Sequence, residues 1–134
     1  MIKPIPEFDG YFISDDGKVY SNLGKGNRRN NKTVPLYEIK PRLTKHGYCR
    51  VYMRHTLTGK RMDRYIHRLV AEAFIPNPLN KKYVNHINFC RSCNKVENLE
   101  WVTAKENTSI TEKMAHVIRD ATGRFQSNYV YVIR

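Results

Sequence analysis

The sequence predicts an α+β fold, a small antiparallel N-terminal sheet joined to a strand–strand–helix unit. Three observations carry this. Up to residue 66, short apolar stretches alternate with polar positions and are separated by turn signals, the pattern of strands. Residues 67–74 show helical spacing. Residues 83–107 read as strand, loop, strand and capped helix. The chain divides accordingly into 1–66, 67–110 and a C-terminal extension, 111–134.

Taken in order, Gly10 to Ser14 reads as a strand. Asp15-Asp16-Gly17-Lys18 is a hairpin turn, because Gly17 tolerates a positive φ, and Val19 to Ser21 returns. Gly24 to Lys32 holds Lys25, Arg28, Arg29 and Lys32 and no hydrophobic residue. It reads as a basic loop, either solvated or laid on phosphate. From Ile39 to Arg64 the pattern alternates. Cys49, Val51 and Met53 face the core; Tyr48, Arg50, Tyr52 and Arg54 face out, with Lys45, Lys60, Arg61 and Arg64 nearby. Thr58-Gly59-Lys60 turns the chain into a strand from Met62 to Ile66. An outward Arg/Tyr face suits nucleic acid, and a solvated sheet with cross-strand pairs is the plain alternative. Leu69, Val70, Ala73 and Phe74 give the next segment one apolar stripe, and Pro76 and Pro78 end that helix.

Composition narrows the class of partner. Twenty-four Lys and Arg against 12 Asp and Glu leave a net charge of +12 on 134 residues. That excess favours a polyanion: DNA, RNA or an anionic membrane. No apolar run approaches the roughly 20 residues of a membrane span. Met1-Ile2-Lys3-Pro4 lacks a signal-peptide core, so a cytoplasmic chain is expected. Three cysteines, an odd number, describe no disulfide framework. Cys90 and Cys93 form a single C-x-x-C; structural Zn²⁺ would need His ligands or a second chain, and two free thiols are the expectation.

The chemistry gathers in residues 83–107. Tyr83 to Ile87 and Leu99 to Val102 read as strands around a polar loop. Thr103 with Glu106 makes a capping box for a helix starting near Ala104. This unit can bring Asn85, His86 and Asn107 to one cleft. A neutral imidazole can take a proton from water near neutral pH. Amide oxygens are a ligand type that Mg²⁺ accepts.

Residues 67–107, HRLVAEAFIPNP…VNHINFCRSCNKVENLEWVTAKEN, resemble the HNH homing endonucleases of phages and introns. The features are HRLV…F, an Asn-His pair, an Asn twelve residues after that His, and LEWVT…N, in one order. Residues 5–23 resemble the small motif that often precedes this nuclease module. The resemblance implies a ββα-metal core that hydrolyses phosphodiester bonds in double-stranded DNA with Mg²⁺ or Mn²⁺. It makes His86 the general base, Asn98 the residue that orients the His-bearing loop, and His67 a supporting residue. It makes Asn107 a metal ligand, and Asn85 another where some members carry Asp. A monomer would nick; a homodimer could cut both strands. The chain departs from the family at Asn85, which is no carboxylate, and at Asn88-Phe89-Cys90, where many members read Asp-Gly-Asn. A weak or inactive DNA-binding module is the alternative, and an RNA-binding protein is favoured only by charge and aromatics. In the extension, Glu112 to Ile118 can continue the helix, and Tyr129 to Ile133 reads as a strand.

Overall fold

The structure, a computed structural model, describes residues 1–24 and 33–110. Lys25, Arg28, Arg29 and Lys32, and all of 111–134, lie outside the described residues. In chain order come β1 (Ile2–Pro4), β2 (Tyr11–Ser14), β3 (Val19–Leu23), β4 (Thr33–Ile39), β5 (Arg42–Leu43), β6 (Cys49–Arg54), β7 (Arg61–Tyr65), α1 (Ile66–Phe74), β8 (Tyr83–His86) and β9 (Leu99–Val102). A second helix, α2, occupies residues 104–110. The fold is α+β, with antiparallel sheets of order β1-β2-β3-β4, β5-β6-β7 and β8-β9.

The short strands follow from alternation and turn chemistry. Strand β6 alternates buried and half-buried along its whole length, with Cys49, Val51 and Met53 inward. Strand β4 was not expected. Its Pro35 cannot donate to a ladder, but β4 pairs only with β3, and an edge strand tolerates that loss. The same holds for Pro4 on the other edge, in β1. Helix α1 buries Ile66, Leu69, Val70 and Ala71 and stops before Pro76.

One apolar cluster joins the three sheets. Ile13 and Val19 come from the first sheet, Val51 and Met53 from the second, Leu99 from the third, and Ile66, Leu69 and Val70 from α1. Helix α1 is thus the common wall. The β8–β9 hairpin is lashed to it by two further contacts. Trp101 Nε1 donates to the Ile75 carbonyl at 3.0 Å, and the Arg68 guanidinium sits 5.6 Å over the Trp101 ring while donating to the Lys82 carbonyl at 2.8 Å. Trp101 is therefore half-buried with a polar role. His55 packs edge-on against Phe8 at 5.5 Å. Among the described residues no helix is long and apolar enough to cross a membrane.

This shared core sets an expectation. Met53→Ala removes a side chain left 1 % exposed and should cost about 2–5 kcal/mol in urea unfolding. Leu57→Ala, at a position 89 % exposed, should stay within about 0.5 kcal/mol of the parent.

Candidate functional site

The β8–β9 hairpin pairs Asn85 with Glu100 and His86 with Leu99, so each pair shares a face. The loop between the strands is closed from inside by Asn98. Its carbonyl accepts from Ile87 N at 2.8 Å, and its side-chain oxygen accepts from Asn88 N at 3.0 Å. Its Nδ2 donates to Asn88 Oδ1 at 2.9 Å and to the Cys93 carbonyl at 2.8 Å. A buried amide with its donors and acceptor engaged is a rigid staple.

His86 is buried, and its Nε2 lies 2.9 Å from Asn94 Oδ1. An amide oxygen only accepts, so Nε2 carries the hydrogen and Nδ1 keeps the lone pair. Asn94 is itself buried and also hydrogen-bonds the Cys49 thiol on β6. Its amide therefore spans two sheets. Burial lowers the His86 pKa; the Asn94 bond opposes this and the nearby Arg91 charge adds to it. The His67 ring stands 5.0 Å from His86, with Tyr48 5.4 Å from His67 and 6.1 Å from His86. Burial, then the charges of His86 and Arg68, push the His67 pKa down to about 3. His67 Nδ1 is buried without a hydrogen-bond partner among the described residues. Arg91 lies 4.8 Å over Tyr48 and donates to the His46 carbonyl.

The N-terminal hairpin presses on this loop. Val96 N donates to the Asp15 carbonyl at 2.9 Å. Gly17, at φ +85°, lies so close that a Cβ there would meet the Asn94 carbonyl oxygen at 2.7 Å. Glycine is needed for the turn and for the approach at once.

Asn85 and Glu100 share the hairpin face opposite that of His86 and Leu99. Asn85 Nδ2 donates to Glu100 Oε1 at 3.0 Å. Asn107 is half-buried on α2, and its backbone N donates to the Thr103 carbonyl at 2.9 Å. The capping box forms as expected: Glu106 N donates to Thr103 Oγ1 at 3.1 Å, and Thr103 N to Glu106 Oε1 at 3.2 Å. Lys81 also pairs with Glu106 at 3.0 Å. Among the described residues no three His, Cys, Asp or Glu side chains converge to hold a metal. The amide oxygens of Asn85 and Asn107 are of the type that a hard oxygen-seeking cation such as Mg²⁺ or Mn²⁺ accepts, unlike a thiolate site. Cys49 and Cys90 are buried free thiols and Cys93 is half-buried.

The basic residues divide by face. The register places Arg42, Arg50, Tyr52, Arg54, Arg61 and Asp63 on the outer side of the second sheet. Arg42 and Arg61 lie 4.9 Å and 5.8 Å from the Tyr52 ring, and Arg50 pairs with Asp63 at 2.9 Å. Lys45 and Lys60 are exposed in adjoining turns. Arg64 stands apart: it is opposite Val51, on the core-facing side, with its guanidinium 5.3 Å over Phe8. Sequence reasoning missed Asn94, Arg91, Glu100 and Arg42. A loop asparagine eight residues after a histidine carries no pattern; Arg42 and Glu100 were legible only through strand register.

Two family models match this chain. Residues 64–109 match HNH endonuclease, and residues 3–54 match the NUMOD4 motif. The chain carries an HNH endonuclease domain preceded by a NUMOD4 motif. Its HNH region holds α1, the β8–β9 hairpin and nearly all of α2, and its NUMOD4 region holds nearly all of the first sheet, with β5 and β6. A protein of Acanthamoeba polyphaga mimivirus named an uncharacterized HNH endonuclease is 36 % identical over 119 residues, 89 % of this chain and 30 % of that protein. An SPbeta prophage-derived protein of Bacillus subtilis, named as an HNH homing endonuclease, is 43 % identical over 108 residues, 81 % of this chain and 56 % of that one. A solved structure titled for DNA binding and cleavage by the HNH homing endonuclease I-HmuI superimposes with a TM-score of 0.67 at 25 % identity, covering 98 % of this chain and 65 % of that one. This chain thus spans 30 % to 65 % of the length of these three proteins.

Two outcomes follow from the site. Both histidine shifts are downward, so both rings are neutral in the folded chain at pH 7. The unfolded chain takes up those protons near pH 6.5, so below that pH the unfolded state binds more protons and stability falls toward about pH 3. The urea midpoint should drop across that window. His67→Phe, which keeps a ring and removes one titration, should flatten the slope by up to about 1.4 kcal/mol per pH unit. Separately, Gly17→Ala should cost about 1–2 kcal/mol for the positive φ alone. It should also shift the His86 ring signals in ¹⁵N-detected NMR, because the added carbon pushes on Asn94.

Proposed function

We propose that this chain is a metal-dependent endonuclease acting on double-stranded DNA. The observation that carries the reading is the buried His86, neutral and held by Asn94 so that Nδ1 keeps its lone pair. A general base needs a free lone pair and a fixed direction, and the ring has both. Asn98 fixes the loop in which His86 is set, and His67 packs on its ring. Asn107 and Asn85 would hold Mg²⁺ or Mn²⁺ through their amide oxygens. Such an ion, when bound, stabilises developing charge on a phosphate and its leaving oxygen.

Arg50, Arg54, Arg61, Lys45 and Lys60, joined by Arg42, would grip the duplex backbone, with Lys25, Arg28, Arg29 and Lys32 adding charge. The guanidiniums beside Tyr52 favour phosphate contact over use of that ring as a stacking platform for single-stranded bases. With one site per chain, a monomer nicks, and a homodimer can cut both strands. The cytoplasm is where a phage or bacterial chain of this kind would meet its DNA. A second reading, a weak or inactive DNA-binding module, is favoured by the neutral amide at position 85.

Supercoiled plasmid with Mg²⁺ or Mn²⁺ separates the two. The nuclease converts it to nicked or linear form, and His86→Ala lowers the rate by about 10²–10⁴-fold. Plasmid left equally intact by parent and variant in either metal would favour the binding module.

A further inference from the structure

We infer that Glu100 is the residue that aims Asn85, a positioning role that rests on the proposed metal-dependent reading. Asn85 and Glu100 are directly opposed across β8 and β9, so their side chains leave the hairpin on one face. Asn85 Nδ2 lies 3.0 Å from Glu100 Oε1. A carboxylate only accepts hydrogen bonds, so it must face the NH₂ end of the amide. The amide's oxygen is thereby turned away from Glu100, and it accepts no hydrogen bond among the described residues. An asparagine without such a partner can present either end, and its NH₂ end repels a cation. Glu100 removes that ambiguity.

The arrangement also answers the chain's departure at position 85. A neutral ligand supplies no charge and no preferred orientation by itself. The cross-strand carboxylate supplies the orientation through a charge-assisted bond and places a negative charge one side chain behind the ligand oxygen. Glu100 acts through Asn85 and does not itself touch the reacting atoms.

The test is Mn²⁺ titration into the full-length chain without DNA, followed by water-proton relaxation, with the Asn85 side-chain amide protons observed by ¹H–¹⁵N NMR. Asn85→Ala sets the floor for binding. Glu100→Ala should weaken Mn²⁺ binding by about tenfold or more, as loss of a residue behind a metal ligand does. It should also move the hydrogen-bonded Asn85 Nδ2 proton upfield, toward the shift of a free side-chain amide. Glu100→Gln keeps an acceptor in place and should hold affinity within about threefold, the modest cost of one half-exposed charge. Circular dichroism and urea unfolding confirm that each variant is folded. The inference is overturned if folded Glu100→Ala binds Mn²⁺ like the parent, or if Glu100→Gln is as weak as Glu100→Ala, which would make the charge and not the aim decisive. A parent chain that neither binds Mn²⁺ nor nicks plasmid overturns the nuclease reading instead.

Discussion

A buried asparagine amide holds this site together. Asn94 cannot be desolvated cheaply unless its polar atoms are engaged, and the fold engages them on both sides. Its oxygen takes the His86 ring hydrogen, and its amide meets the Cys49 thiol of the central strand. Its backbone is pressed by the glycine turn of the first hairpin. Position, ring tautomer and loop shape are therefore one constraint. Burial of Cys49 raises the thiol pKa, so the sulfur faces Asn94 as a neutral partner.

The second constraint is the loop between β8 and β9. A polar loop of this length would be expected to wander, yet Asn98 ties its two ends and its middle with one side chain. The hairpin then rests on α1 through Leu99, Trp101 and Arg68. Rigid support beneath, and a stapled loop above, leave the imidazole as a side chain on a fixed frame.

Much of this was legible in the sequence. The alternation of β6, the turn at Gly17, helix α1 and the Thr103–Glu106 cap all rest on local rules, and each stands within a residue or so of its expected place. What failed was non-local. Strand β4 contains a proline and lacks strict alternation, so only its pairing with β3 reveals it. Arg64 looked like one more base on an Arg/Tyr face, but the register sends it to the side of Phe8. Asn94 and Glu100 could not be found, because neither has a spacing that signals a partner. Their significance comes from what lies across a strand or under a loop.

The contact between Gly17 and Asn94 bears on how such chains can be assembled. The NUMOD4 match and the HNH match are separate stretches of sequence, which invites treating them as interchangeable parts. The turn of the first is nonetheless one wall of the second's loop, with Asp15 accepting from Val96 and glycine required at the closest approach. A chimera that swaps the N-terminal portion must carry that tight turn with it, or the recipient loses the surface against which its histidine is set. The two sequence blocks are therefore inherited as a matched pair in this chain.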